Sequence, residues 1–413
     1  MKQRPFAGIR WLYLALGTVT MLCMGTIYSW SVLKVPLAEN FGWQPTQLSL
    51  AYSLSFCVFS AGSILGSALA KKAGHRVTLA LGGVLMFAGY GLMSRLQGGS
   101  VAQLFVYFSG LVGGGFGVAY PVLLAWVGSW FTDRPGLSSG ILMMGFGCSA
   151  LIVGRPATKL FDVPGVGWRG CYLLLGTLAL ASLLLCAVVF RGRAPAPATG
   201  SRGASTREYP PTQVLRQASF WVLVIYLLFN GCLGSSMSAL LYDYCLSVEI
   251  AAGAAATLVG VMSAFNGLSR ILFGAVYDRF GRRITMLAGS LTVLGSGLCL
   301  LAALLLQVQP LAVLGIALTG LGYGYGPVLA PVVIRSFFGN ENFSINFSLC
   351  NMRSLVNTFF ISGVTAIMVA SGSFTAPLLV MVGCACVAFA FQFALKEPAP
   401  TQPAPVPAAS VQE

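Results

Sequence analysis

Residues 274–283 read GAVYDRFGRR, a run that places one acid and three arginines around a glycine at the end of a long apolar segment. A degraded copy of its last six residues, KKAGHR, lies 207 positions earlier, at residues 71–76. A second pair of similar segments has the same offset, GGGFG at 113–117 and GLGYG at 320–324. Two unrelated segments that share one offset predict a chain built from two duplicated halves.

Apolar runs divide the chain in the same way, because six of them precede a polar segment and six follow it. A helix needs about 20 such residues to cross a hydrocarbon core of roughly 30 Å. The predicted fold class is therefore an all-α membrane protein with twelve transmembrane helices in two pseudo-symmetric six-helix bundles. The predicted spans are 11–33, 47–69, 77–97, 102–128, 137–154, 168–190, 218–241, 253–276, 284–305, 310–333, 343–370 and 374–394.

The predicted domains are an N-terminal six-helix bundle (1–190), a cytoplasmic linker (191–217), a C-terminal six-helix bundle (218–395) and a cytoplasmic tail (396–413). The linker is rich in Pro, Ala, Ser and Arg, which is typical of a mobile segment. The tail is rich in Pro and Ala, which predicts disorder. The first apolar run is too long for the core of a signal peptide, so we expect a retained helix.

Composition excludes most other classes of protein. Hydrophobic residues make up 57% of the chain and charged residues only 8%, whereas soluble domains carry about 25% charged residues. The net charge of +14 comes mainly from Lys and Arg on segments that share one side of the membrane. This bias predicts that both termini are cytoplasmic and that the protein lies in a cell membrane, either plasma or bacterial inner. The 11 cysteines have no metal or disulfide spacing, and no cofactor is predicted.

Two charges lie deep inside predicted helices. Arg270 lies within the eighth span and Arg353 about ten residues into the eleventh, while the acidic residues fall in loops, termini or helix ends. A charge at the bilayer centre costs about 2.5 kcal/mol or more, and guanidinium binds carboxylate through two parallel hydrogen bonds. Two buried cations without a buried acid predict an anionic substrate. Pairing of Arg270 with Asp278, and extension of Arg353 toward the cytoplasm, remain as alternatives.

Several segments of the chain resemble those of a known family. The GAVYDRFGRR run resembles the cytoplasmic loop motif of the major facilitator superfamily, and the resemblance covers the whole chain. Further segments resemble the oxalate/formate antiporter family and its monocarboxylate-transporter relatives: YSWSV at 28–32, WFTDRPGL at 130–137, GWR at 167–169 and NGLSR at 266–270.

The resemblance implies roles for individual residues. Oxalate/formate antiporters place an Arg on helix 8 and a Lys on helix 11 around the bound dianion; Arg270 matches the first position, and Arg353 takes the second with Arg replacing Lys. Its less aromatic surroundings leave oxalate itself open. Lys34 matches a helix 1 lysine of monocarboxylate transporters, with an interfacial anchor as the alternative. Asn266 stands where many proton-coupled relatives have an Asp. Asn cannot titrate, which favours exchange over proton symport.

Four tyrosines and one charged group complete the predicted site. Tyrosines near helix midpoints are predicted to wall the pocket, since a phenol hydroxyl binds carboxylate while its ring excludes water; packing is the alternative for each. They are Tyr28, Tyr120, Tyr323 and Tyr325. The charged group is predicted to gate, holding helices together while the transporter is open to the outside. It consists of Asp278, Arg279, Arg282 and Arg283.

The predicted function is secondary active transport of small organic anions by alternating access, through anion exchange. Candidate substrates are mono- or dicarboxylates such as oxalate, formate, lactate or pyruvate, and proton-coupled monocarboxylate symport is the alternative. A membrane-embedded enzyme is disfavoured, because the sequence offers one loop histidine and no buried carboxylate. A transporter-like receptor is disfavoured by the short tail. The predicted partners are a small carboxylate and the lipid bilayer, without nucleic acid, for a monomeric protein.

Overall fold

The computed structural model describes residues 5–192 and 208–398. Within these residues the chain forms twelve long helices and no β-strand, which confirms the all-α fold class. Most of the predicted linker (193–207) and of the predicted tail (399–413) lies outside the described residues. The helices are α1 Pro5–Met24, α2 45–73, α3 75–94, α4 Ala102–Ser129, α5 Pro135–Phe161, α6 Gly167–Val189, α7 Ala218–Ser247, α8 Ala252–Phe280, α9 Arg282–Leu306, α10 Gln309–Phe338, α11 Phe343–Ser371 and α12 Thr375–Ala394.

The described chain contains ten segments long and apolar enough to cross a membrane. One of them, Thr46–Ser94, comprises both α2 and α3, which a kink at Gly74 separates. The remaining helix, α5, has 27 residues, which exceed the length that a bilayer requires. Together these segments account for the twelve predicted spans.

The kink between α2 and α3 recurs between α8 and α9. Gly74 has φ 84° and ψ 163°, and Gly281 has φ 80° and ψ −179°. Such backbone angles are readily reached only by glycine, because a Cβ atom clashes with the neighbouring carbonyl oxygen. The same sharp turn therefore stands 207 positions apart in the two halves, which is the structural form of the duplication in the sequence.

Glycines on α4 and α10 let two helices of each half approach closely. A Cβ atom at Gly113 would lie 2.8 Å from the carbonyl oxygen of Ser55 on α2. The equivalent atom at Gly320 would lie 2.5 Å from the carbonyl oxygen of Met262 on α8. Both the glycines and their partners are 207 positions apart. The two GxGxG segments thus serve as packing surfaces, as small residues commonly do between membrane helices.

We predict that Gly320→Ala destabilises the protein by about 1–3 kcal/mol, since α8 and α10 must separate to admit the methyl group. The measurement is the apparent unfolding temperature of the purified protein in one detergent. Gly295→Ala on α9 is the control, because no atom lies within 4 Å of a Cβ atom there. Alanine at that position should be neutral or stabilising by up to about 1 kcal/mol. Equal unfolding temperatures for the two variants would contradict the close packing.

Candidate functional site

A cavity of about 120 Å³ lies between the two halves. Helices α2, α4 and α5 of the N-terminal half line one side of it, and helices α7, α8, α10 and α11 line the other. The lining residues are Phe56, Phe59, Phe116, Tyr120, Met143, Phe146, Leu227, Asn230, Gly231, Arg270, Tyr323, Gly326, Pro327, Ala330, Phe347, Asn351, Arg353, Ser354 and Asn357.

The N-terminal side of the cavity is a continuous aromatic wall. Phe116 stacks on Phe59 with ring centroids 4.6 Å apart and on Phe146 at 4.9 Å. Tyr120 packs edge-on against Phe59 at 5.6 Å and reaches Phe347 of the other half at 6.0 Å. These rings are held by one another, so the wall is a rigid apolar surface that excludes water.

The C-terminal side carries charge. Arg270 on α8 is only 5% exposed. Its Nε donates to Oδ1 of Asn266 one turn earlier, at 3.3 Å, and its NH1 donates to the carbonyl oxygen of Met143 on α5. The guanidinium therefore crosses from one half of the protein to the other. It does not pair with Asp278, whose carboxylate binds elsewhere, so that alternative is wrong.

Gly147 makes room for this guanidinium. A Cβ atom at Gly147 would lie 2.7 Å from both Cζ and NH1 of Arg270. Any larger residue would push the charge away from the carbonyl oxygen of Met143. Sequence reasoning missed this residue, since a glycine in a glycine-rich helix gives no sign of what faces it.

Arg353 lies at a break in α11. The helix consists of Phe343–Asn351 and Arg353–Ser371, joined at Met352. The Arg353 side chain is partly buried, and its NH1 donates to the carbonyl oxygen of Cys350 and to Oδ1 of Asn351, each at 3.3 Å. Both contacts are long for charged hydrogen bonds. The break thus positions a cation at the cavity without binding it tightly.

The cavity has an excess of positive charge. Its described lining contains two guanidinium groups and no Asp or Glu. One further group is unsatisfied, since Oδ1 of the buried Asn230 has no hydrogen-bond partner among the described residues. Buried charges and buried amides are normally paired. The arrangement is suited to a small anion with several acceptor oxygens.

The structure brings together some of the predicted site residues. Arg270, Arg353, Tyr120 and Tyr323 all line the cavity. Asn266 contacts Arg270 from behind and is not part of the lining. The sequence missed the amide side chains of the lining, because polar residues on helix faces have no pattern that distinguishes a cavity from a packed interface. They are Asn230, Asn351 and Asn357.

The other predicted site residues lie away from the central cavity or outside the described residues. The Tyr325 ring is fully buried away from this cavity, where its hydroxyl bonds to that of Tyr226 at 2.7 Å and its ring packs on Phe273 at 5.0 Å. Its predicted role in the pocket is replaced by a packing role. Lys34 lies between the short helices Trp30–Leu33 and Val35–Phe41 and is not among the lining residues. The side chain of Tyr28 lies outside the described residues.

Asp278 joins the two halves at the end of the bundle that carries the linker. One carboxylate oxygen accepts from the backbone N–H of Gly136 at 2.7 Å, and the other from that of Leu137 at 2.8 Å. These are the second and third residues of α5. Unpaired N–H groups and the positive end of the helix dipole favour a carboxylate there. The first turn of α5 and the end of α8 are thereby linked.

Further contacts reinforce the same end. Nζ of Lys71 donates to Oδ1 of Asn342 at 2.7 Å, and the hydroxyls of Ser67 and Ser348 lie 3.1 Å apart. All four residues connect α2 with the beginning of α11. The halves are thus pinned together at the linker end of the bundle.

A second fully buried arginine, Arg335, also lies at this end. Arg335 at the end of α10 is fully buried against Gly128 of α4. Its NH1 donates to Oδ1 of Asn340 at 2.8 Å, and its guanidinium covers the Phe343 ring at 4.2 Å. The carboxylate of Glu208 accepts from the backbone N–H groups of the same turn, Asn340 included. This arginine is satisfied by local groups and lies away from the cavity lining.

The remaining members of the predicted gating group face other surroundings. Arg282 donates to the carbonyl oxygen of Leu395 at 2.7 Å and covers the Phe337 ring at 5.0 Å, so it contacts its own half. Arg283 is exposed beside it. Arg279 lies over the Phe280 ring at 5.3 Å. Within this group, Asp278 is hydrogen-bonded to the other half.

Several known proteins resemble this chain. The oxalate:formate antiporter of Oxalobacter formigenes is 28% identical over 382 residues, which cover 90% of this chain and 88% of that protein. Human monocarboxylate transporter 12 is 25% identical over 408 residues, covering 91% and 78%.

Solved structures show the same fold. The proton:xylose symporter XylE superposes with a TM-score of 0.74 at 15% identity, covering 95% of this chain and 97% of that one. FucP in its outward conformation superposes with a TM-score of 0.68 at 15% identity, covering 93% and 98%. The family model described as Major Facilitator Superfamily matches residues 14–249 and 232–412, nearly the whole chain. This chain therefore belongs to the major facilitator superfamily, a family of multi-pass membrane transporters and not of enzymes.

Proposed function

We propose that this protein is a secondary transporter of small carboxylates that exchanges one anion for another by alternating access. One observation carries the proposal. Two guanidinium groups, on Arg270 and Arg353, line a central cavity whose described lining has no carboxylate to balance them. A charge removed from water must be compensated, and an anionic substrate supplies that compensation.

The chemistry of the cavity favours short carboxylates. Guanidinium groups present parallel N–H donors that match the two oxygens of a carboxylate. The facing aromatic wall of Phe59, Phe116 and Phe146 excludes water and strengthens that interaction. A volume of about 120 Å³ suits anions of a few heavy atoms, such as oxalate or formate. The relatives support this class, since one is named an oxalate:formate antiporter and another a monocarboxylate transporter.

A substrate anion competes with an existing bond. NH1 of Arg270 donates to the carbonyl oxygen of Met143 across the interface between the halves. A carboxylate that takes the same N–H group releases α5 from α8 at this point. We infer that substrate binding thereby loosens one of the contacts that hold the present conformation, which is the coupling that alternating access requires.

Asn266 supports one of the two coupling mechanisms over the other. Its Oδ1 accepts a hydrogen bond from Nε of Arg270 at 3.3 Å. An amide carries no titratable proton, so it orients the guanidinium without neutralising it. This geometry favours exchange over proton symport, which is the alternative function.

Gating and orientation complete the proposal. We infer that Asp278, through its hydrogen bonds to the first turn of α5, keeps the linker end of the transporter closed. We also infer that this end faces the cytoplasm of a cell whose plasma or inner membrane holds the protein. The excess of Lys and Arg at this end supports the orientation. FucP, a fold relative, adopts an outward conformation.

The first prediction separates the two arginines. Arg270→Gln should abolish binding of oxalate and of formate, because that guanidinium is the more buried of the two. Arg353→Gln should weaken oxalate binding by about 100-fold or more, since losing one partner of a buried ion pair costs about 3–5 kcal/mol. Formate has one carboxylate and needs only Arg270, so its affinity should fall far less. Calorimetric dissociation constants for both anions provide the measurement.

The control for this comparison is Arg95→Gln, which removes the same charge from an exposed position outside the cavity lining. It should leave both dissociation constants unchanged. If Arg353→Gln weakened oxalate and formate equally, Arg353 would contribute only to the general potential of the cavity. Near wild-type transport by Arg270→Gln would overturn the proposed anion site itself.

The second prediction concerns coupling. Uptake of labelled oxalate into proteoliposomes should depend on an anion loaded inside them and respond little to an imposed pH gradient. Asn266→Asp should weaken carboxylate binding, because an acid at that place would pair with Arg270 in competition with the substrate. Uphill uptake driven by protons alone, without an internal anion, would establish symport instead.

The third prediction tests the gate. Asp278→Asn removes the charge that the N-terminus of α5 stabilises, an interaction of up to about 2 kcal/mol in partly buried geometry. The backbone amides of Gly136 and Leu137 should then exchange with deuterium faster in hydrogen-exchange mass spectrometry. Asp243→Asn is the control, since Asp243 is exposed on α7. Unchanged exchange at the start of α5 in Asp278→Asn would show that the contact does not hold this end closed.

A further inference from the structure

A second cavity lies away from the central one, in a groove of about 700 Å³ between the beginning of α9 and the end of α12. Its position is set by helix ends, so in the bilayer it lies at the level of the lipid headgroups. The lining residues are Arg282, Arg283, Ile284, Met286, Leu287, Gln392, Phe393, Leu395, Lys396 and Glu397.

Charge in this groove is predominantly positive. Arg282, Arg283 and Lys396 face it together with one acid, Glu397. Arg282 is held by the carbonyl oxygen of Leu395 at 2.7 Å. Arg283, Lys396 and Glu397 are exposed. The groove thus has one fixed cation at its base and two adaptable cations at its rim.

A buried amide at the groove is unsatisfied. Gln392 is only 8% exposed, yet neither its Nε2 nor its Oε1 has a hydrogen-bond partner among the described residues. In folded proteins the large majority of buried side-chain polar atoms are hydrogen-bonded. A donor and an acceptor left without partners beside a cationic groove indicate a polar ligand with oxygen atoms.

The outer edge of the groove is apolar. Phe393 is 69% exposed, and Ile284 and Leu287, on the first turns of α9, are about half exposed. In a membrane-spanning chain such side chains face acyl chains. The groove therefore joins a cationic pocket at headgroup level to an apolar surface directly below it.

We propose that this groove binds the headgroup of an anionic phospholipid. The phosphate lies between Arg283 and Lys396, Gln392 binds headgroup oxygens, and the acyl chains run along Ile284 and Phe393. Basic pockets between membrane helices suit such headgroups. The apolar edge selects a lipid over a soluble phosphate, because a free anion would gain nothing from these side chains.

The corresponding corner of the N-terminal half is built differently. His75, which is 207 positions before Arg282, stacks on the Trp126 ring at 3.8 Å. Leu185 stands at the position equivalent to Gln392. Arg76, the counterpart of Arg283, donates to the carbonyl oxygen of Phe190. This corner therefore offers a matched control on the same chain.

The test measures lipid binding by native mass spectrometry. The full-length protein in detergent is titrated with phosphatidylglycerol or with phosphatidylcholine. The wild type should bind phosphatidylglycerol in preference to phosphatidylcholine. The double variant Arg283→Gln, Lys396→Gln should lose about 25-fold in affinity for phosphatidylglycerol, at about fivefold for each cation. Gln392→Leu, which copies the residue of the other half, should also weaken phosphatidylglycerol binding.

The control is the double variant Lys72→Gln, Arg76→Gln, which removes the same charge from the corresponding corner and should retain the preference. Equal losses in both double variants would mean that the lipid responds to overall charge, which overturns the site. So would a wild type without preference. Soluble glycerol phosphate should bind far more weakly than phosphatidylglycerol; comparable affinity would assign the groove to a soluble anion instead.

Discussion

A guanidinium inside a membrane bundle is the constraint on which the rest of this structure depends. The guanidinium of Arg270 has five N–H donors and no acceptor, so the fold must supply acceptors for it. The carbonyl oxygen of Met143 and the amide of Asn266 satisfy part of its donors, and Gly147 leaves the space that it occupies. None of these groups is negatively charged. The positive charge of the guanidinium is therefore left unbalanced, which makes the central cavity a candidate site for anions.

The two halves share one scaffold, and the central site is formed where equivalent positions of the two halves carry different residues. Phe59 corresponds to Asn266, Phe116 to Tyr323, and Phe146 to Arg353, each 207 positions apart. Except for Asn266, these residues all line the cavity. The N-terminal half has apolar rings where the C-terminal half has polar or charged groups. One half therefore excludes water while the other binds charge, a division that two identical halves could not provide.

One sequence motif serves two surfaces. In the run from Asp278 to Arg283, the acid points toward α5 and bridges the halves, whereas Arg282 and Arg283 face the groove beside α12. The turn at Gly281 separates them, because its positive φ redirects the chain between α8 and α9. Charges that are neighbours in sequence thus act at an interface between halves and at a surface that faces lipid.

The sequence by itself determined the helices, the duplication and the two cavity arginines, because apolar length, a repeated glycine pattern and a buried charge are local properties that need no partner. Only the tertiary structure decided which tyrosines face the cavity, since Tyr323 and Tyr325 are two residues apart yet lie on different faces of α10. The same holds for Gly147, for the amides of the lining and for the burial of Arg335. Each depends on a neighbouring helix, and the packing of helices against one another is set by contacts between residues far apart in the chain.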